Sequence, residues 1–146
     1  MSRLAFHEVV PDASKAVMGM EAYARRHNDP VLYELVKLRA SMVNGCAFCV
    51  DMHSRDALAA GEDSRRLFGL AAWHDAPFYN TKERAALALT DAVTRLGHDG
   101  VSDDVWDAAA KEFTPEELGN LLMAIAMINV WNRLSISTRN QPPLTV

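Results

Sequence analysis

The chain has 146 residues, a formal net charge of -4, and 49% hydrophobic against 23% charged residues. These are the proportions of an ordinary globular protein, long enough to bury roughly two-thirds of its unfolded surface without staples. Acids and bases are interspersed, leaving no basic stripe for phosphates and no polybasic anchor, so neither nucleic acid nor membrane is an expected partner.

Almost every segment carries the apolar period of a helix, and none alternates long enough to argue a strand. An all-α fold is expected, a single compact helical domain over residues 1–146 with about six or seven helices. The opening M-S-R-L-A-F-H-E-V-V-P lacks the apolar core of a signal peptide and reads as an extended start ending near Pro11. A first helix follows from about Ala13 to His27, with Ala16, Met20, Tyr23 and Ala24 as its apolar stripe. Asp29 and Pro30 read as an N-cap and a first-turn proline, where a missing N–H costs nothing. The second helix runs on from Pro30 with Val31, Leu35, Leu38 and Met42 inward, Glu34 at the margin, and Lys37 and Arg39 turned away. Asn44 and Gly45 stop it.

A third helix opens at Cys46, reaches about Ala60 and is closed by Gly61. A short fourth starts at Asp63 or Ser64 and passes Leu67, Leu70 and Ala71, before Pro77 interrupts the loop W-H-D-A-P-F-Y-N. The fifth runs from Asn80 or Thr81 to about Leu96, with Ala85, Leu89, Ala92 and Leu96 inward, and the sixth from Ser102 to Phe113. Thr114-Pro115-Glu116-Glu117 is a capping box that starts a long last helix to about Ser137, and the tail from Asn140 is expected to be loose. The apolar segment Leu121 to Val130 is too short to span a bilayer, which leaves a cytoplasmic setting as the expectation.

Cys46 and Cys49 are the chain's two cysteines. In a cytoplasmic protein such a C-x-x-C is expected to be catalytic or metal-binding rather than a permanent staple. Helical spacing lines Cys46, Cys49 and His53 along one face of the third helix. Alpha carbons three apart in a helix are about 5 Å apart, inside the window of a disulfide, so the pair can open and close without unfolding. Unpaired N–H groups of the first turn favour the thiolate, and a neighbouring imidazolium would favour it further.

The tight Asn-Gly turn makes a hairpin of the second and third helices and brings Glu34 toward the thiols. A carboxylate there can take and return protons. Peroxide cleavage needs an attacking thiolate, a proton for the leaving alkoxide, and a second thiol to resolve the sulfenic acid. Glu34, Cys46, Cys49 and His53 cover those tasks and are the candidate catalytic residues. Spacing leaves open which cysteine attacks.

The pattern E-x(11)-C-x-x-C-x(3)-H on a helical hairpin resembles the AhpD-like alkylhydroperoxidase branch of the carboxymuconolactone decarboxylase family. Similarity is densest from Leu35 to Gly61, L-V-K-L-R-A-S-M-V-N-G-C-A-F-C-V-D-M-H-S-R-D-A-L-A-A-G, and continues through A-W-H-D-A-P-F-Y and N-V-W-N-R-L-S-I-S. The resemblance implies an all-helical domain that assembles into homo-oligomers, trimers or hexamers. It implies thiol peroxidase activity without a cofactor or metal, a peroxide substrate, and an external thiol or dithiol as electron donor. By position Glu34, Cys46, Cys49 and His53 match the family's proton relay, with Cys49 as attacker and Cys46 as resolver. The best-described members carry a histidine just before the second cysteine, where this chain has Phe48. The namesake decarboxylases lack the cysteine pair, so their reaction is not the expected one.

Other readings of the same residues are a zinc site on Cys46, Cys49, His53 and Glu34, a pair of merely buried thiols, and a non-peroxidase dithiol sensor or disulfide exchange protein. Trp73, Phe78 and Trp131 are read first as core or subunit contacts and second as walls of a thiol pocket. Asn129, Asn132 and Arg133 interrupt an apolar helix and are expected to brace neighbouring helices or subunits, since buried polar groups need partners. His7, His27, His74 and His98 receive no role.

Overall fold

Helix boundaries fall where cap chemistry puts them. A computed structural model describes residues 2–145. Its helices are α1 (Phe6–Val9), α2 (Pro11–Arg26), α3 (Pro30–Asn44), α4 (Ala47–Ala59), α5 (Ser64–Gly69), α6 (Thr81–Thr94), α7 (Asp103–Glu112) and α8 (Pro115–Thr138), with a 3-10 turn at Leu70–Ala72. No strand occurs among the described residues. Asp29 accepts from the Leu32 amide ahead of Pro30, and Asp63 accepts from Arg65. Asn80 with Glu83 and Thr114 with Glu117 close full capping boxes. Each such cap stabilises its helix by about 1 kcal/mol.

The expected extended start is instead α1, a single turn closed by Val9 N–H to Ala5 C=O and Val10 N–H to Phe6 C=O. One turn is too short for an apolar period to register. Of the stripe expected on the first helix, Ala24 reaches the core, where α2 also buries Ser14, while Ala16, Met20 and Tyr23 stay exposed.

The element that organises the rest is α3, which packs against α4, α6 and α8 at once. From Leu32 to Ser41 it is buried without a break. A helix surrounded on all sides keeps no solvent face, so Lys37 and Arg39, expected to be turned away, are inside at 1% and 6% exposure. Val31, expected inward, is 49% exposed because it precedes this buried run. Leu35, Val36 and Leu38 are fully buried, each worth about 2 kcal/mol. Leu96, also expected inward, lies beyond the end of α6 and is exposed.

The last helix, α8, is 24 residues long and apolar enough by length and composition to cross a membrane. Here it is a core helix, packed on α2, α3 and α6. Its Asn129 and Asn132 are the braces their position predicts: Asn44 donates to both, Asn129 donates to Thr94, and Asn132 donates to Ser41, whereas Arg133 is exposed and bonds back to Asn129 of its own helix.

Candidate functional site

The α3–α4 hairpin is made by Gly45, whose φ of 72° is left-handed. Its N–H and that of Cys46 return to the carbonyls of Met42 and Ser41, so the chain reverses between Asn44 and Ala47. A residue with a Cβ would find open space there but strained backbone. The reversal delivers Cys46 as the N-cap of α4, with its sulfur 3.4 Å from the Cys49 amide. The helix therefore begins one residue later than the sequence suggests. Cys49 sits in the first turn, joined to Cys46 by a disulfide with the α-carbons 5.4 Å apart. Both are buried against Ala40 and Ile128, with Phe48 and Trp131 packed on the cluster.

One turn further along α4, His53 is 1% exposed and its Nδ1 lies 2.9 Å from Glu34 Oε2 on α3. A carboxylate oxygen accepts, so Nδ1 carries the hydrogen and Nε2 is the other face of the ring. Nε2 is buried and has no hydrogen-bond partner. Cys49 and His53 line a pocket of about 310 Å³ whose apolar wall includes Met18, Phe48, Met52 and Trp131. That volume is at the small end of ligand pockets. A larger hollow of about 450 Å³ reaches the other flank of Glu34, between Val31, Ala57 and Arg66, and is lined by neither cysteine. The chemistry belongs with the smaller space.

All four sequence-predicted site residues are thus in one region, as a disulfide and a hydrogen-bonded Glu34–His53 pair. For an ion, the donors among the described residues that approach within 4.8 Å of one another are Glu34, His53 and Asp56. The two sulfurs, bonded to each other, lie outside that trio, so the four residues of the zinc reading do not form one donor set.

A second charged cluster, on the wall of the same pocket, lies beyond what the sequence predicts. Lys37 Nζ donates to the Glu21 carboxylate and lies 2.8 Å from the Tyr33 hydroxyl. Tyr33 also donates to Glu21, whose other oxygen accepts from Trp131 Nε1 at 3.0 Å. Burial pushes the Lys37 pKa below the ordinary lysine value, and Glu21 acts in the opposite direction. The single sequence signal was the four-residue spacing of Tyr33 and Lys37. Their partner Glu21 comes from another helix, which spacing within α3 does not disclose.

Fold and site together define a helical dithiol protein of the AhpD-like type. The chain belongs to the Carboxymuconolactone decarboxylase family, whose pattern matches residues 11–92. It is similar to the uncharacterized protein YdfG of Bacillus subtilis (strain 168), with 36% identity over 140 residues and 95% of each chain covered. A solved structure from Agrobacterium tumefaciens, of a protein of unknown function provisionally assigned to antioxidant defence as AhpD, superposes with a TM-score of 0.95. It shares 36% identity and covers 99% of both chains. The debrominase Bmp8, bound to 2,3,4-tribromopyrrole, shares the fold at a TM-score of 0.82 and 21% identity, over 92% of this chain and 72% of that one.

Proposed function

We propose that the protein is a thiol peroxidase that reduces organic or hydrogen peroxides through a Cys46/Cys49 dithiol–disulfide cycle. The observation that carries this reading is the joining of Cys49 to Cys46 in the first turn of α4, opening with His53 onto a pocket while Glu34 holds the His53 ring. In the reduced protein the Cys49 thiolate attacks the terminal peroxide oxygen. The S–O bond forms, the O–O bond breaks, and the alkoxide takes a proton from the His53–Glu34 pair and leaves as the alcohol. Cys46 then attacks the sulfenic acid; the S–S bond forms and water leaves with the Cys46 proton. An external thiol or dithiol returns two electrons. The reading places the protein in the cytoplasm, where such donors keep thiols reduced, as a homo-oligomer.

The test is stopped-flow mixing of the reduced protein with cumene hydroperoxide. Wild type is expected to form the disulfide with consumption of one peroxide per pair. A rate no greater than that of Cys49→Ser overturns the reading.

Phe48 supports one competitor, a dithiol sensor or disulfide exchange protein. Its ring packs on the Cys46/Cys49 cluster and offers no proton carrier between the thiols. Exchange with a protein disulfide that runs far faster than peroxide reduction would favour that alternative.

A further inference from the structure

The Glu21–Lys37 pair is the largest feature of the pocket that the proposed cycle leaves unused. Lys37 is fixed from two directions. Its backbone is on α3, packed directly against α4, and its ammonium is held by Glu21 from α2 and by Tyr33 one turn back on its own helix. Together with Cys49 it lines the pocket. Burying an ammonium is costly even when it is paired, and an apolar pair of similar volume would serve packing as well or better. A cost of that kind in a pocket that Cys49 also lines asks for a reason.

The charges around the pocket supply one. From α2 come Glu21 and Arg25, from α3 Lys37 and Glu34, and from α4 His53 and Asp56. On α1, His7 reaches the rim and is bonded through Nδ1 to Ser14, while α8 contributes the uncharged Trp131 and Ser135. Arg25 has a side chain 55% exposed, and Asp56 is exposed, so solvent screens both. Glu34 is engaged with His53, and Glu21 with three donors. Lys37 is the fully buried cation of the set, and without it a thiolate at Cys49 would share the pocket with an uncompensated Glu21 carboxylate.

We propose that Lys37, held in place by Glu21 and Tyr33, is a positioning residue of the thiol site whose buried ammonium keeps reduced Cys49 in its thiolate form at neutral pH. This rests on Cys49 being the attacking thiol of the proposed cycle. It requires no contact between Lys37 and the peroxide.

The experiment follows iodoacetamide alkylation of the reduced protein against pH, with the modified cysteine identified by mass, and uses no peroxide. Lys37→Met is expected to raise the Cys49 midpoint and leave about tenfold less thiolate below it, the effect of removing one nearby charge. Lys37→Arg keeps the charge and is expected to restore most of the thiolate. Because Lys37→Met strands Glu21, the double variant Lys37→Met/Glu21→Gln removes the pair whole and is expected to raise the midpoint too. A folded Lys37→Met or double variant that titrates as wild type overturns the proposal. Should neither fold, the wild-type protein decides: the Lys37 Nζ nitrogen resonance must shift with the midpoint of Cys49 alkylation, and an unmoved resonance overturns it. A Lys37-dependent midpoint in a protein that ignores cumene hydroperoxide would remove the peroxidase reading and leave this one standing.

Discussion

At the scale of single residues, the informative atom is His53 Nε2, buried and unpartnered while Nδ1 is fixed by Glu34. An unsatisfied buried nitrogen is unfavourable by about 1–3 kcal/mol, and its position on the face of α4 that carries Cys49 gives it something to meet when the disulfide opens. In the proposed cycle Glu34 would set the ring's tautomer and restore its proton. Glu34→Gln keeps the shape but replaces an acceptor-only group with one that both donates and accepts, so the ring loses its fixed orientation. The expected result is a loss of about 100-fold in the rate of cumene hydroperoxide reduction, at the lower end of what proton transfer contributes. Oxidation of the pair by diamide, which needs no proton delivered to an alkoxide, is expected to stay near wild type. Equal losses in both assays would reduce Glu34 to a structural residue.

At the scale of elements, α3 is held in place by charge as well as by apolar contact. Arg39 forks onto both oxygens of Asp91 from α6 at 2.7 and 2.8 Å and donates to the carbonyls of Leu70 and Ala71 in the 3-10 turn, while Trp73 Nε1 also donates to Asp91. Burial works against the Asp91 charge, but the hydrogen bonds from Arg39 and Trp73 outweigh it and leave the carboxyl below the usual value of 3.8. A folded pKa below the unfolded one gives stability that is complete above the unfolded value and lost as pH falls through the folded one. Asp91→Asn is therefore expected to cost about 3 kcal/mol at pH 7, by stranding a buried guanidinium, and to flatten the fall in stability below about pH 4. Urea denaturation at pH 7 and at pH 3 checks both.

The same helix marks what its sequence discloses. Asp29, Gly45 and the capping boxes at Asn80 and Thr114 are legible because a cap acts within four residues. The approach of Glu34 to α4 is legible because one tight turn joins the two helices, but its bond to His53 rather than to the thiols at the start of α4 is not. The burial of Lys37 and Arg39 is not legible, because their partners, Glu21 and Asp91, lie 16 and 52 residues away. A charge in a helix looks solvated until its distant counter-ion is known. For α2 the difference runs the other way, since Met20 and Tyr23 of the expected stripe stay exposed although Ala24 beside them is buried.

At the scale of the whole molecule, that exposure has a physical consequence. Single apolar residues on a surface are ordinary. A set of large apolar residues left exposed on one helix, Met18, Met20 and Tyr23 of α2, is the pattern of a helix that expects a second partner. Homo-oligomerisation would cover it. Light scattering of the eluted protein is then expected to give three or six times 16.1 kDa, and Tm should rise with protein concentration, because subunits that associate only when folded draw the equilibrium toward the native state. Met20→Lys puts a charge in this set at a position 48% exposed in the single chain, where an isolated subunit tolerates it. The variant should keep wild-type helicity and elute with a smaller mass. A wild-type mass of 16.1 kDa at micromolar concentration, with a Tm independent of dilution, would mean that Met20 faces water in solution.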